Sequence, residues 1–368
     1  MKWMRKKTKA TISNSAVILY SYVKTLMNPL GNGPVPDALS GIYGAAVKLR
    51  NCMYDAFPFM SKATGRPAIG IGGIHAGGTG KTPVALLVGK YAVRKGYEVA
   101  FLSRGYRRKT RKNIISKPHT IDTWETVGDE PAMLHAALPE SWLGIGANRY
   151  TNVKTMSSEL SKKSVFILDD AFQHRKIKRD IDIVCLPPGT QVDTLLPSGT
   201  LREQIKGLSR AHCICLIGAL EESATLEESR LNIATMFPKA TVVVLNQVPA
   251  GFVNLRTGEF KRTLPLERPI ALCGIARPER FIFLLKKMNI SISAQSIFND
   301  HHEYDNHEIE SIYSNGASGI ITTEKDAFRL KSLKLVSCPD IWYLKIDLGF
   351  CEPESETLFN RIIDRVLT

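Results

Sequence analysis

Gly77-Gly78-Thr79-Gly80-Lys81-Thr82-Pro83 lies between an apolar run, Ala68–Gly73, and a helix-patterned run, Thr82–Arg94. Glycines let the backbone curl until successive N–H groups face one point. The helix N-terminus adds positive potential there, and Lys81 adds a full charge. Strand, glycine loop and helix in that order form a phosphate cradle. Thr82 stands where such a loop presents a hydroxyl to Mg²⁺. The strict pattern G-x-x-x-x-G-K-[ST] asks for a glycine where this chain has His75, so the loop is a variant.

The pattern around the loop repeats. Apolar runs read as strands at Glu98–Leu102, Val165–Leu168, Ile181–Leu186, Cys213–Ile217 and Thr241–Leu245, with amphipathic stretches between several of them. Such alternation predicts a mostly parallel sheet with helices on both faces. Further strand-like runs follow at Pro269–Cys273, Gly319–Thr323 and Ile341–Ile346. The polar stretch Asn254–Glu267 reads as an inter-domain segment. The expected division is 1–62, a basic tail with an amphipathic helix; 63–253, a P-loop domain; and 254–368, a smaller C-terminal α/β domain closing over the site.

At 368 residues the chain has room for two domains and a sizeable core. Seven cysteines without a C-x-x-C pair argue for free core thiols in a reducing compartment. Cys213 and Cys215 alternate in a buried-strand pattern. The net charge of +14 is concentrated in the first residues and around Arg104–Lys117. No basic patch with interleaved aromatics accompanies it, so no nucleic-acid partner is expected.

The apolar run Ala16–Tyr20 is too short for a signal peptide, and no stretch reaches spanning length. Between 37 and 57, Leu39, Ile42, Tyr43, Ala46, Val47, Met53, Tyr54 and Phe57 recur at helical spacing. Behind a basic tail, this helix suits either a neighbouring domain or a membrane interface.

The chemistry-bearing residues sit at strand ends. Val165–Leu168 runs into Asp169-Asp170, the position at which a P-loop fold holds Mg²⁺. Gln173 and His174 follow at the mouth of the site. Arg104-Gly105-Tyr106 ends another strand, where Tyr106 and its arginines can clamp phosphate or a sugar hydroxyl. Gly128-Asp129-Glu130-Pro131 opens a helix. Asp129 is either its N-cap or an acid offered to a substrate hydroxyl. Leu196–Glu203 brings Arg202, a cation suited to phosphate. Asp300-His301-His302-Glu303 holds enough ligands to raise zinc, but adjacent histidines lack the spacing of a helical zinc site. Thr323-Glu324-Lys325-Asp326 is one more strand-end motif. A GTPase would show Asn-Lys-x-Asp where this chain has Asn246-Gln247-Val248-Pro249.

Taken in order, these motifs resemble the tetraacyldisaccharide 4′-kinase (lipid A 4′-kinase) family, from near Leu39-Ser40-Gly41-Ile42-Tyr43-Gly44 almost to the C-terminus. The resemblance implies a P-loop NTPase-like fold using ATP and Mg²⁺. It implies a monotopic enzyme on the cytoplasmic face of the Gram-negative inner membrane, anchored through the N-terminal helix, with no obligate protein partner. The implied substrate is a tetraacylated glucosamine disaccharide 1-phosphate, and the product gains a 4′-phosphate. By the same resemblance, Asp129 pairs with His301 as the base system, with Lys81 and Arg202 as further catalytic groups. Gly77, Gly78, Thr79, Gly80, Lys81, Thr82, Gln173 and His174 hold the nucleotide. Tyr106, Glu130 and Arg149 face the acceptor, and Thr82 with Asp169 or Asp170 holds the metal. The chain departs from the family's usual pattern at Gly73-Ile74-His75, Ser198 and Gln204. Two alternatives stand beside this one: another P-loop small-molecule kinase or NTPase, and a non-catalytic, nucleotide-gated membrane-binding module.

Overall fold

The computed structural model describes residues 34–106, 108–110, 112–190, 193–218, 223–313, 317–333 and 340–367. The basic tail and the run Ala16–Tyr20 lie outside the described residues.

One sheet of 13 strands runs through the described residues. Its first half holds β1 (Ala68–Gly72), β2 (Glu98–Ser103), β3 (Ile114–Ser116), β4 (Trp142–Ile145), β5 (Ser164–Leu168), β6 (Ile181–Leu186), β7 (Cys213–Gly218) and β8 (Thr241–Asn254). The second half holds β9 (Phe260–Lys261), β10 (Ile270–Cys273), β11 (Ala294–Ile297), β12 (Ile320–Thr323) and β13 (Ile341–Phe350). The order is β11-β10-β12-β13-β8-β7-β6-β1-β5-β2-β4-β3, with β9 paired to β8. Pairing is parallel except at β8–β13, β8–β9 and β3–β4. β1, β5, β6 and β7 are buried along their whole length. Strands covered on both faces read as continuous apolar runs, which is why the sequence exposed them.

Four strands were not legible in that way. β3, β4 and β9 are only two to four residues long, and β11 is polar and largely exposed at the sheet edge. β8 also runs well past the expected end at Leu245, through Asn246-Gln247-Val248-Pro249 to Asn254. Its register against β13 shifts between Lys345 and Ile346, opposite Gly251 and Pro249. A bulge tolerates a proline that a regular ladder would reject. Asn254–Glu267 is correspondingly no plain linker, since it carries β9 back onto β8.

The helices are α1 (Pro34–Ala56), α2 (Lys81–Arg94), α3 (Trp124–Val127), α4 (Asp129–Ala137), α5 (Arg149–Ser157), α6 (Ser223–Met236), α7 (Pro278–Lys287), α8 (Asn306–Tyr313), α9 (Glu324–Leu330) and α10 (Pro353–Asp364). α10 returns to the first half of the sheet. Phe359, Ile362, Ile363 and Leu367 join Ile71, Val84, Val88 and Phe101 in one core cluster. Tyr91 donates to Asp364 at 2.9 Å, and Tyr97 donates to the Leu367 carbonyl at 2.5 Å. The C-terminal segment therefore packs with the P-loop part of the molecule, where a cut at residue 254 would separate it.

Candidate active site

The glycine loop leaves β1 and enters α2, which begins at Lys81, one residue before the expected Thr82. Gly77 and Gly80 take φ values of 101° and 77°, left-handed conformations that glycine adopts at little cost. A Cβ on Gly80 would also stand 2.5 Å from Ile217 Cδ1. Lys81 is buried and folds back to donate to the Gly77 carbonyl at 3.0 Å.

His75 does not disturb this curl. It is buried, and its backbone bridges Leu201, with Ala76 donating to the Thr200 carbonyl at 2.7 Å and Arg202 to the Ile74 carbonyl at 2.6 Å. Its Nε2 lies 3.7 Å from Asp193. Burial pushes its pKa down, against the pull of Asp193, so the ring is neutral. The phosphate loop and the 194–203 segment thus form one backbone-paired unit that delivers Arg202.

The two strand-end acids divide. Asp170, at φ 46°, takes both oxygens to Arg202 Nη1 at 2.7 and 2.8 Å and lies 3.7 Å from Lys81. Burial would raise its carboxyl, but Lys81 and Arg202 outweigh that and hold it down. On Asp169 the pull of Lys81 and Arg149 is outweighed. The residue is 1% exposed, and burial with Glu130 and Asp170 nearby pushes it up to about 7. Thr82 Oγ1 sits 3.4 Å from its Oδ2. A buried acid beside a threonine hydroxyl is a hard-oxygen set suited to Mg²⁺, which takes one or two carboxylates and completes its shell with water and phosphate.

Arg149 is buried behind this pair and donates to the Asp170 carbonyl at 3.3 and 3.4 Å. Burial lowers it to about 10, which leaves it charged. Gln173 spends its amide nitrogen on the Gly73 carbonyl at 2.9 Å and on Glu203 at 2.7 Å, so it braces the loop. Burial and then Arg149 and Arg179 push His174 down to about 3, making it a neutral ring.

A second group gathers where α4 meets α9. Asp129 opens α4 as its first residue; the N-cap is Gly128. Its Oδ1 accepts the Glu130 N–H at 2.9 Å. Its Oδ2 meets His301 Nδ1 at 2.9 Å and Arg329 Nη2 at 2.6 Å. Burial would raise this carboxyl, but the His301 hydrogen bond, Lys325 and Arg329 hold it well below the usual carboxylate range. Tyr106 presents its ring to His301 with centroids 5.7 Å apart. Tyr106, Trp124, Gly128, Asp129, His301, Glu303 and Arg329 line a cavity of about 230 Å³. His302 turns elsewhere, to Glu308 at 3.0 Å and onto Phe298, so the two histidines do not converge.

Glu130 links the groups. It acts on Asp169 electrostatically and lies 3.5 Å from Lys325. In the sequence Lys325 was legible only as part of the strand-end motif Thr323-Glu324-Lys325-Asp326, without a role, and Arg329 not at all. Their spacing of four, on one helix face, looks like an ordinary solvated basic pair. Arg329 is instead 3% exposed and braced by Asp326, which also accepts from Tyr304 and Thr323.

The family model described as tetraacyldisaccharide-1-P 4′-kinase matches residues 37–367. A tetraacyldisaccharide 4′-kinase of Chlorobaculum tepidum is 34% identical over 300 residues, covering 79% of this chain and 85% of the relative. One from Chlorobium limicola is 33% identical over 359 residues, covering 92% and 99%. Among solved structures, the "apo" form of LpxK from Aquifex aeolicus in complex with ATP matches with a TM-score of 0.73 at 27% identity, covering 90% of this chain and 98% of that one.

Proposed function

The chain belongs to the tetraacyldisaccharide-1-P 4′-kinase family and is an ATP-dependent kinase acting on the 4′-hydroxyl of a tetraacylated glucosamine disaccharide 1-phosphate in lipid A biosynthesis; from that premise we propose how its residues divide the work. The glycine loop and Lys81 hold the β- and γ-phosphates. Thr82 and Asp169 would hold Mg²⁺, which would supply charge neutralisation at the phosphates. Asp170 serves as the anchor that aims Arg202 and Lys81, since its own oxygens are already engaged. Gln173 and Arg149 fix the loop and the Asp170 turn. His174, Tyr106 and Glu130 face the incoming groups.

Asp129 orients the acceptor hydroxyl and takes up its proton as the O–P bond forms, with His301 as its partner. Phosphoryl transfer relies mainly on positioning and charge stabilisation, so a strongly acidic carboxylate suffices. The observation that carries this reading is the 2.9 Å Asp129–His301 pair on the cavity wall, joined through Glu130 to the acids beneath the phosphate loop.

The lipid part of the substrate lies in a bilayer. We read α1 as the element that rests on the cytoplasmic face of the inner membrane. No described helix is long and apolar enough to cross a membrane. α1 instead keeps Leu39, Ile42, Leu49 and Met53 exposed, with Phe57 and Phe59 just beyond it. This apolar stripe supports an interfacial position.

The test is conversion of tetraacyldisaccharide 1-phosphate, with ATP and Mg²⁺ in detergent, to its 4′-phosphorylated product. Asp129→Asn should lower turnover about 100-fold or more while ATP binding persists. Unchanged turnover in that variant would sink the base assignment.

A further inference from the structure

Lys325 has no task in the reaction as described, yet its ammonium stands at the centre of the second group. Nζ lies 3.2 Å from His301 Nε2, 3.5 Å from Glu130 Oε1, 3.8 Å from Asp300 Oδ1 and 3.9 Å from Asp129 Oδ2. An ammonium only donates. In the contact with Lys325, His301 Nε2 must therefore accept. A neutral imidazole with a bare Nε2 carries its hydrogen on Nδ1. That nitrogen faces Asp129 Oδ2, an acceptor, at 2.9 Å.

Arg329 Nη2 also approaches Nδ1, at 3.3 Å, but its shorter contact is with Asp129 Oδ2 at 2.6 Å. The opposite tautomer would set N–H against ammonium at Nε2 and a lone pair against carboxylate at Nδ1. Only one arrangement satisfies both ends of the ring.

We propose that Lys325 is a positioning residue for phosphoryl transfer, holding His301 in the Nδ1–H tautomer so that the ring donates to Asp129 and turns that carboxylate's remaining lone pairs to the acceptor hydroxyl. The proposal rests on the Asp129–His301 reading above and deepens it. The groups facing His301 are Asp129 and, through Lys325, Glu130 from α4; Lys325 and Arg329 from α9; its chain neighbour Asp300, whose Oδ2 is 3.7 Å from Nε2; and the Tyr106 ring. Removing Lys325 leaves Asp300 as the nearest charge to Nε2. A proton is then drawn to that nitrogen, and the ring loses its fixed direction of donation.

Nitrogen-15 NMR of histidine-labelled full-length protein at neutral pH reads this directly, with the His301 signals assigned by their loss in His301→Asn. The wild type should show protonated Nδ1 and bare Nε2. Lys325→Met should move the proton onto Nε2, or add a second one, and lower turnover about tenfold with the KM for ATP within about twofold. Lys325→Arg, which keeps a donor at that place, should restore the wild-type signals and most of the turnover. A His301 pattern unchanged in Lys325→Met, or a wild-type ring protonated on Nε2, overturns the proposal. Lys325→Leu, which likewise removes the donor, gives the same reading should the methionine variant fold poorly. The spectra need no substrate. A protein that failed to make the 4′-phosphate would therefore retire the reaction, whereas a working kinase with an indifferent His301 would retire only the role of Lys325.

Discussion

Asp169 and Asp170 are adjacent, Asp169 buried and Asp170 partly exposed, and the fold treats them oppositely. Asp170 faces Arg202 and Lys81, whereas Asp169 faces Thr82, a hydroxyl, and lies near the acids Glu130 and Asp170. Its carboxyl is raised from 3.8 to about 7. Between those values the folded protein keeps a proton that the unfolded chain has lost. Metal-free stability therefore falls as pH rises through that window, and the loss is complete above about 7. Asp169→Asn removes the charge and can keep the bond to the Asp170 N–H. In metal-free buffer above neutral pH, that variant should be more stable by about 1 kcal/mol or more, or at least about 1 °C in thermal midpoint for a chain of this size. Its kinase turnover should collapse at the same time. An unchanged or lower midpoint would mean that Asp169 carries no such strain.

At the scale of elements, the sequence showed that 37–57 is helical and apolar on one side, but it merged two faces. Tyr43 and Tyr54 turn to the protein: Tyr43 donates to the Arg202 carbonyl at 2.8 Å, and Arg175 lies over the Tyr54 ring at 5.3 Å. Leu39, Ile42, Leu49 and Met53 turn outward. Periodicity reports that a side chain is apolar, not what covers it. The same gap hid Lys325 and Arg329, whose role depends on α4 arriving from almost 200 residues away, from Asp129. Strand-end motifs were legible because a parallel sheet places their chemistry at predictable ends. The outward face predicts that Ile42→Glu with Leu49→Glu weakens sedimentation with anionic vesicles about 100-fold, from two apolar side chains worth about 1.5 kcal/mol each. Because Ile42 is 69% and Leu49 65% exposed, the thermal midpoint should hold. A double variant that still pelleted fully would assign membrane contact to another part of the chain.

Over the whole molecule, the decisive feature is that one sheet passes through both halves and the chain's end returns to the first. β8 and β13 pair along their length, and α10 then inserts Phe359, Ile362 and Ile363 beside Val84, Val88 and Phe101. Polarity alone suggested a boundary near Asn254, because local composition carries no record of a helix folding back across the sheet. The consequence is mechanical. Val84 and Val88 sit on α2, the helix that follows the glycine loop, so on the proposed reading α10 supports the ATP site from a place remote in sequence. Phe359→Ala leaves every named site residue intact and should cost about 3–5 kcal/mol, as for other buried phenylalanines. That loss should lower the midpoint of a single cooperative transition reported alike by Trp142 in β4 and Trp342 in β13. ATP at about 100 times its Kd should then recover about 2.7 kcal/mol at both probes, since ligand binding stabilises whatever unfolds with the site. If the variant instead shifted only the Trp342 transition and left ATP binding and Trp142 untouched, the two halves would be independent units, and α10 would be a passive tail of the second.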